Sequence, residues 1–198
     1  FDPFKPTIPN YWNDPYFYEG TATEWSLCAL HVIEPLIAKH GGKQAFEAHL
    51  DQFFAKNIYF WKEIILHTPY LYHFVDRPDK TAAAVDVLLR QKYHPGRDGL
   101  PDNDDMGAQS AFIMCSMLGL YPWMGHDHYM LSTPYFQHAT IQLPQSGAEL
   151  TITTDHPRET HPHIQSAILN GKTVTEPWLS HGQLILGGHL ELKLSDLA

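Results

Sequence analysis

The sequence is short of cysteine, of positive charge and of long apolar runs. Only two cysteines, Cys28 and Cys115, occur in 198 residues. Each lies in an apolar, helix-like stretch, so both are expected as buried free thiols, and they define neither a disulfide framework nor a redox compartment. Thirteen Lys and Arg face twenty-two Asp and Glu, a formal net charge of −9. With no basic cluster, the chain is a poor partner for nucleic acid, whose phosphates need a concentrated basic face. No apolar run approaches the ~20 residues of a membrane-spanning helix, and no signal peptide is visible. The chain opens Phe1-Asp2-Pro3-Phe4 without a methionine and reads as a piece of something longer. Apolar residues at 43 % and charged residues at 18 % are enough to bury a core, which argues against disorder.

Proline and glycine punctuate the first part. Pro3, Pro6, Pro9 and Pro15 make residues 1–16 an extended arm. Apolar positions from Ala22 to about His40 recur with helical spacing, and Gly41-Gly42 stops them. A second helix is predicted over about Lys43 to Phe54, with Phe46, Leu50, Phe53 and Phe54 on one face. A third apolar segment runs from Ile58 to Phe74 and is interrupted by Pro69. A fourth helix starts near Pro78, which suits a first turn, and ends near His94-Pro95-Gly96. After a loop, a fifth spans about Met106 to Leu118 and stops at Gly119. Beyond Tyr121-Pro122 the pattern changes to alternation: Thr140–Leu143, Glu149–Thr153, Ile164–Leu169 and Leu190–Leu194. Asn170-Gly171 is a hairpin signal. The expected fold is mainly α with a C-terminal β segment, divided as helices over 1–122 and a small antiparallel β segment over 123–198. The helices form an incomplete layer whose apolar faces call for further helices.

The densest polar cluster is Asp98-Gly99-Leu100-Pro101-Asp102-Asn103-Asp104-Asp105-Met106-Gly107, with four carboxylates and an amide directly before a helix. Helix capping explains one or two of these acids. Four crowded like charges call for a proton or a cation. Calcium, which takes hard oxygen ligands, is one resolution, although the spacing is not that of an EF-hand. A catalytic carboxylate pair is the other. Tyr16-Phe17-Tyr18-Glu19-Gly20 places a lone Glu after three aromatics, and such a surround raises a carboxyl pKa as a general acid requires. A surface Glu near a helix start is the plainer alternative. Both Glu19 and the Asp cluster fall at helix starts, so antiparallel helices can bring them to one rim. Trp61-Lys62-Glu63 and His67-Thr68-Pro69-Tyr70-Leu71-Tyr72-His73 read equally as a cleft wall or as amphipathic core. The pairs His126/His128 and His161/His163 lack partners at zinc spacing.

In order, these pieces resemble the α-mannosidases of glycoside hydrolase family 92. Tyr18-Glu19-Gly20-Thr21-Ala22 is similar to the family's acid-bearing segment, His67-Thr68-Pro69-Tyr70-Leu71-Tyr72 to its H-I-P-Y-L-Y segment, and Asp98 to Ala111 to its GLPGNDDMGxxSA signature, continued by Leu118-Gly119-Leu120-Tyr121-Pro122. Ile164 to Lys172, Trp178-Leu179-Ser180-His181 and Gly187-Gly188 resemble its closing β segment. The resemblance implies part of an (α/α) helical toroid followed by a small antiparallel β appendage, with the N-terminal part of such an enzyme lying outside this chain. It implies calcium-dependent, exo-acting, inverting hydrolysis of terminal α-linked mannose, α-1,2 by preference, on a mannose-containing oligosaccharide or N-glycan, and an extracytoplasmic location. By motif position Glu19 matches the general acid and Asp105 the general base, with Asp104 as the alternative base. Glu63 matches the Glu of a G-N-E-P segment, where sugar or calcium is expected, and Tyr18, His67 and Asn103 are expected to contact substrate. The chain departs from the pattern at Thr23-Glu24 for Trp-Gln, at Val32 for an Asp, at Lys62 for a neutral amide and at Asp102 for a Gly. A lysine beside a calcium site repels the ion. The alternative reading is a non-catalytic carbohydrate-binding or structural fragment.

Overall fold

Pro35 explains why the apolar stretch from Ala22 to His40 is not one helix. In a continuous helix its missing N–H and its ring would disrupt the preceding turn. The computed structural model describes residues 17–56 and 62–197, so the expected arm over 1–16 and the start of the segment at Ile58 lie outside the described residues. Within them the stretch splits into α1 (Ala22–Trp25), a 3₁₀ turn (Leu30–Val32) and α2 (Ile33–Lys39). Starting at Ile33 puts Pro35 in a first turn, where no N–H is needed. Gly41 and Gly42, at φ 95° and 94°, then reverse the chain into α3 (Lys43–Ala55). Its apolar face buries Phe46, Leu50 and Phe53.

Pro69 opens a helix rather than interrupting one. It is the second residue of a 3₁₀ helix, Thr68–Val75, that follows a short 3₁₀ turn at Glu63–Ile65. Seven of its eight residues are buried, so it forms the axis of the helical core. Hydroxyls satisfy the backbone there: Thr81 Oγ1 donates to the Pro69 carbonyl at 2.9 Å and Thr68 Oγ1 to that of Ile65 at 2.7 Å. α4 (Pro78–Lys92) has proline in its first turn as expected. α5 (Ala108–Leu118) starts two residues later than the apolar pattern suggests, because Met106 and Gly107 adopt positive φ.

The rest is β. A three-stranded sheet has the order β1 (Leu120–Pro122), β2 (His128–Leu131), β7 (Trp178–Ser180). A five-stranded sheet has the order β3 (His138–Leu143), β4 (Ala148–Thr154), β8 (Gly188–Ser195), β5 (His163–Leu169), β6 (Lys172–Val174). Asn170-Gly171 closes the β5–β6 hairpin, with Leu169 opposite Lys172. The larger sheet is antiparallel except for β4 and β8, which run parallel. α6 (His181–Leu184) is a single turn after β7.

Two cores result. The helical one includes Phe46, Leu50, Phe53, Tyr70, Leu71, Phe112, Tyr121, Trp123 and Met130. The sheet core includes Leu120, Leu131, Leu150, Ile152, Leu179, Leu190 and Leu192. The small sheet is the partition between them. Successive residues point to opposite faces, so Tyr121, Met130 and Trp178 enter the helical core while Leu120, Leu131 and Leu179 enter the other. Arg158 adds a polar tie: its guanidinium is 3.0 Å from Asp86 of α4 and lies over the ring of Tyr135.

Candidate active site

Three segments distant in sequence meet at one open cavity of about 590 Å³, lined by Tyr18, Glu19, Lys62, Glu63, Asp102, Asn103, Asp105 and Met106. Each arrives by a local device. Glu19 sits at φ 50° just before α1. Gly20 follows because nothing larger fits: a Cβ there would stand 2.6 Å from Ile64 Cδ1 and 2.8 Å from Trp25 Nε1. The indole N–H of Trp25 donates to the Tyr18 carbonyl at 3.1 Å. Thr21 and Glu24 form a reciprocal capping box that fixes the turn. The Glu63 segment is tied to the same region, since Cys28 Sγ donates to the Ile64 carbonyl at 3.1 Å. Burial pushes that thiol up to about 11, so it is inert. Both cysteines are free.

The aspartate cluster divides its labour. Asp104 is the cap: its carboxylate accepts the Ser110 N–H at 2.8 Å and the Ser110 hydroxyl at 2.6 Å, at the start of α5. These bonds hold it below the usual carboxylate range. Asp105, one residue on at φ 44°, turns the other way into the cavity. Asp102 takes Lys62, whose Nζ donates to it at 3.0 Å. Asp98 is exposed, 3.9 Å from His94. Capping and cavity lining thus fall to different members of one run, an outcome that turns on the left-handed backbone at Asp105, Met106 and Gly107.

The electrostatics centre on Lys62. Its side chain is 8 % exposed, with Nζ 3.6 Å from Glu19 as well as 3.0 Å from Asp102. Burial alone would lower the ammonium pKa, but the Asp102 hydrogen bond and the charges of Asp102, Glu19 and Glu63 outweigh it, and the net shift is upward. The apolar cage expected around Glu19 is therefore absent: the Lys62 ammonium stands 3.6 Å away and the neighbouring Tyr18 is exposed. Glu63 is raised, first by burial and then by the Asp105 carboxyl beside it.

Of the residues proposed from sequence, Glu19, Asp105, Glu63, Asn103 and Tyr18 line this cavity, whereas Asp104 and His67 do not. His67 is in the core, 1 % exposed, its Nε2–H donating to the Leu27 carbonyl at 2.9 Å. Burial lowers it to about 4, so it is a neutral structural link between two site segments. The Lys62–Asp102 pair and the rim position of Met106 escaped sequence reasoning; the available signal was that two departures from one motif pattern carry opposite charge.

Calcium takes six to eight oxygen ligands. The cavity offers it Glu63, Asp105 and Asn103, but the Lys62 ammonium stands among the same groups, paired to Asp102. The donor set as it stands does not fit a divalent cation.

Residues 1–196 match the profile of the glycosyl hydrolase family 92 catalytic domain. A protein of Arthroderma benhamiae described as an uncharacterized secreted glycosidase is 32 % identical over 185 residues, covering 92 % of this chain and 24 % of that protein. A family GH92 inverting mannosidase of Bacteroides thetaiotaomicron superposes with a TM-score of 0.81 at 26 % identity, over 91 % of this chain and 28 % of the other. A GH92 α-mannosidase of the same organism, solved with mannoimidazole, gives 0.86 over 99 % of this chain and 28 % of its own, at 22 % identity, a likeness of fold. The chain spans about a quarter of the length of the relatives it matches.

Proposed function

Because the chain belongs to glycosyl hydrolase family 92, we propose that it supplies the acid and the base of an exo-acting α-mannosidase that works with inversion on terminal, α-1,2-linked mannose. The observation that carries this reading is the convergence of Glu19, Glu63 and Asp105 on one open cavity. Glu19 protonates the glycosidic oxygen, a role supported by the accessibility of its side chain, 27 % exposed. Asp105 activates a water that attacks the anomeric carbon from the opposite face, which is inversion. Glu63, on the same cavity wall, accepts from a sugar hydroxyl when substrate enters. Asn103 and Tyr18 add polar contacts at the rim. The substrate class is a mannose-containing oligosaccharide or N-glycan, and the rest of the sugar site comes from parts of the protein beyond this chain. The secreted relative supports an extracytoplasmic location.

A second reading has one specific observation behind it. Lys62 Nζ stands 3.6 Å from the carboxyl assigned to deliver a proton, an arrangement equally suited to holding sugar without cleaving it. Mannose release from α-1,2-mannobiose by the purified protein separates the two. Turnover is expected, with inverted product, and Glu19→Gln and Asp105→Asn each lose about 10²–10⁴-fold in kcat without a change in melting temperature. Release at wild-type rate in either variant removes its assignment; sugar binding with no release favours the second reading.

A further inference from the structure

Lys62 and Asp102 are both departures from the family's sequence pattern, and they touch each other. Where the pattern has a neutral amide the chain has Lys62, and where it has a glycine the chain has Asp102, with Nζ and carboxylate 3.0 Å apart. Neither change is self-sufficient. Lys62 opposite a glycine would lose the hydrogen bond that its nearly buried ammonium makes at 3.0 Å. Asp102 opposite an amide would add another carboxylate to a wall that already holds Glu19, Glu63 and Asp105. Together they bring one fixed positive charge into an acidic cavity and neutralise it locally.

We propose that the Lys62–Asp102 pair is this pocket's built-in cation, so that the protein holds its site without the calcium that the resemblance implies. A fixed ammonium that donates to Asp102 at 3.0 Å and stands 3.6 Å from Glu19 repels a second cation from the same wall. It also holds Glu19 by an ion pair at 3.6 Å. The proposal rests on the reading of this cavity as a glycosidase site but is tested without substrate.

The test is calorimetric titration with calcium chloride, paired with melting curves in calcium and in EDTA, on the purified wild-type protein, Lys62→Arg and the double variant Lys62→Asn/Asp102→Gly. Wild type and Lys62→Arg are expected to show no saturable heat and the same melting temperature in both buffers. The double variant is expected to take up calcium at one site and to melt several degrees higher with it, a gain abolished by adding Glu63→Gln. Circular dichroism checks the fold, and should the double variant not fold, Lys62→Gln takes its place with the same expectation. Stoichiometric calcium uptake by wild type, or a double variant as indifferent as wild type, overturns the proposal. Because no sugar is present, absence of mannose release alongside the expected calcium pattern counts against the mannosidase reading alone.

Discussion

Among the described residues, the helical region takes non-glycine residues into the left-handed region at Glu19, Asp76, Asp105 and Met106, whereas the sheet region does so only at Asn170. Asn170 belongs to an Asn-Gly hairpin, the turn that demands this backbone. Glu19, Asp105 and Met106 belong to no such turn. They line the cavity, and each such conformation costs on the order of 1 kcal/mol outside glycine. The contrast teaches where this molecule keeps its strain: the sheet region turns left-handed outside glycine only in a hairpin made for it, and the helical region is bent where Glu19 and Asp105 enter the cavity wall. Support for the bends comes from nearby rigid contacts, namely the Trp25 bond to Tyr18, the Asp104 cap and the close approach at Gly20.

Truncating the cores attacks the regular part of that contrast and has the largest expected effect on stability. Phe46→Ala in the helical core should cost about 3–5 kcal/mol and Leu190→Ala in the sheet core about 2–5 kcal/mol. Both side chains are 0 % exposed. Because the small sheet is common to both cores, each variant should still unfold in a single transition in denaturant. Two separate transitions would show that the regions are independent.

Acid sharpens the contrast next. Burial, the first cause in both cases, lowers His67 and His73 to about 4 from an ordinary 6.5. The unfolded chain therefore binds more protons than the native one between those values. Stability should be fully present above about pH 6.5 and fall as pH drops toward 4, at up to about 1.4 kcal/mol per unit for each histidine. Melting temperature followed across that window checks the slope, and His67→Gln should flatten part of it. A flat profile in wild type would mean these rings are not held neutral. The smallest effect expected is at the cap: Asp104→Ala should lower the melting temperature only slightly, while mannose release per folded molecule is largely kept. Loss of turnover comparable to that of Asp105→Asn would reverse the division of roles between the two neighbours.

Much of the fold was legible because punctuation and period are local. Gly41-Gly42, Pro78 and Gly119 bound the helices where they were expected. The alternation in His138–Leu143 and Gly188–Ser195 marks strands with one wet face. The small sheet was missed for the converse reason: Tyr121, Met130 and Leu131 are buried on both faces, so nothing alternates. The parallel pairing of β4 with β8 joins segments far apart and leaves no local sign. At the site, residue types and motif order pointed to Glu19, Glu63 and Asp105. They could not say that Asp104 would turn to Ser110 and Asp105 to the cavity, because that depends on the sign of φ at consecutive residues. The same limit hid His67, whose place in an aromatic-rich segment fits a cleft wall and a core equally well until Leu27 is beside it.

The partition sheet bears on what evolution can do to this chain. In most strands a one-residue insertion exchanges a wet face for a dry one, and a neighbouring loop can absorb the slip. In β1 or β2 it would exchange Leu120 with Tyr121, or Met130 with Leu131, and put a side chain shaped for one core into the other. No solvent side exists for the misfit to escape to. Length variation among relatives should therefore gather in the hairpins of the larger sheet and be rare between Gly119 and Leu131 except at the exposed tip around Gly125 and His126.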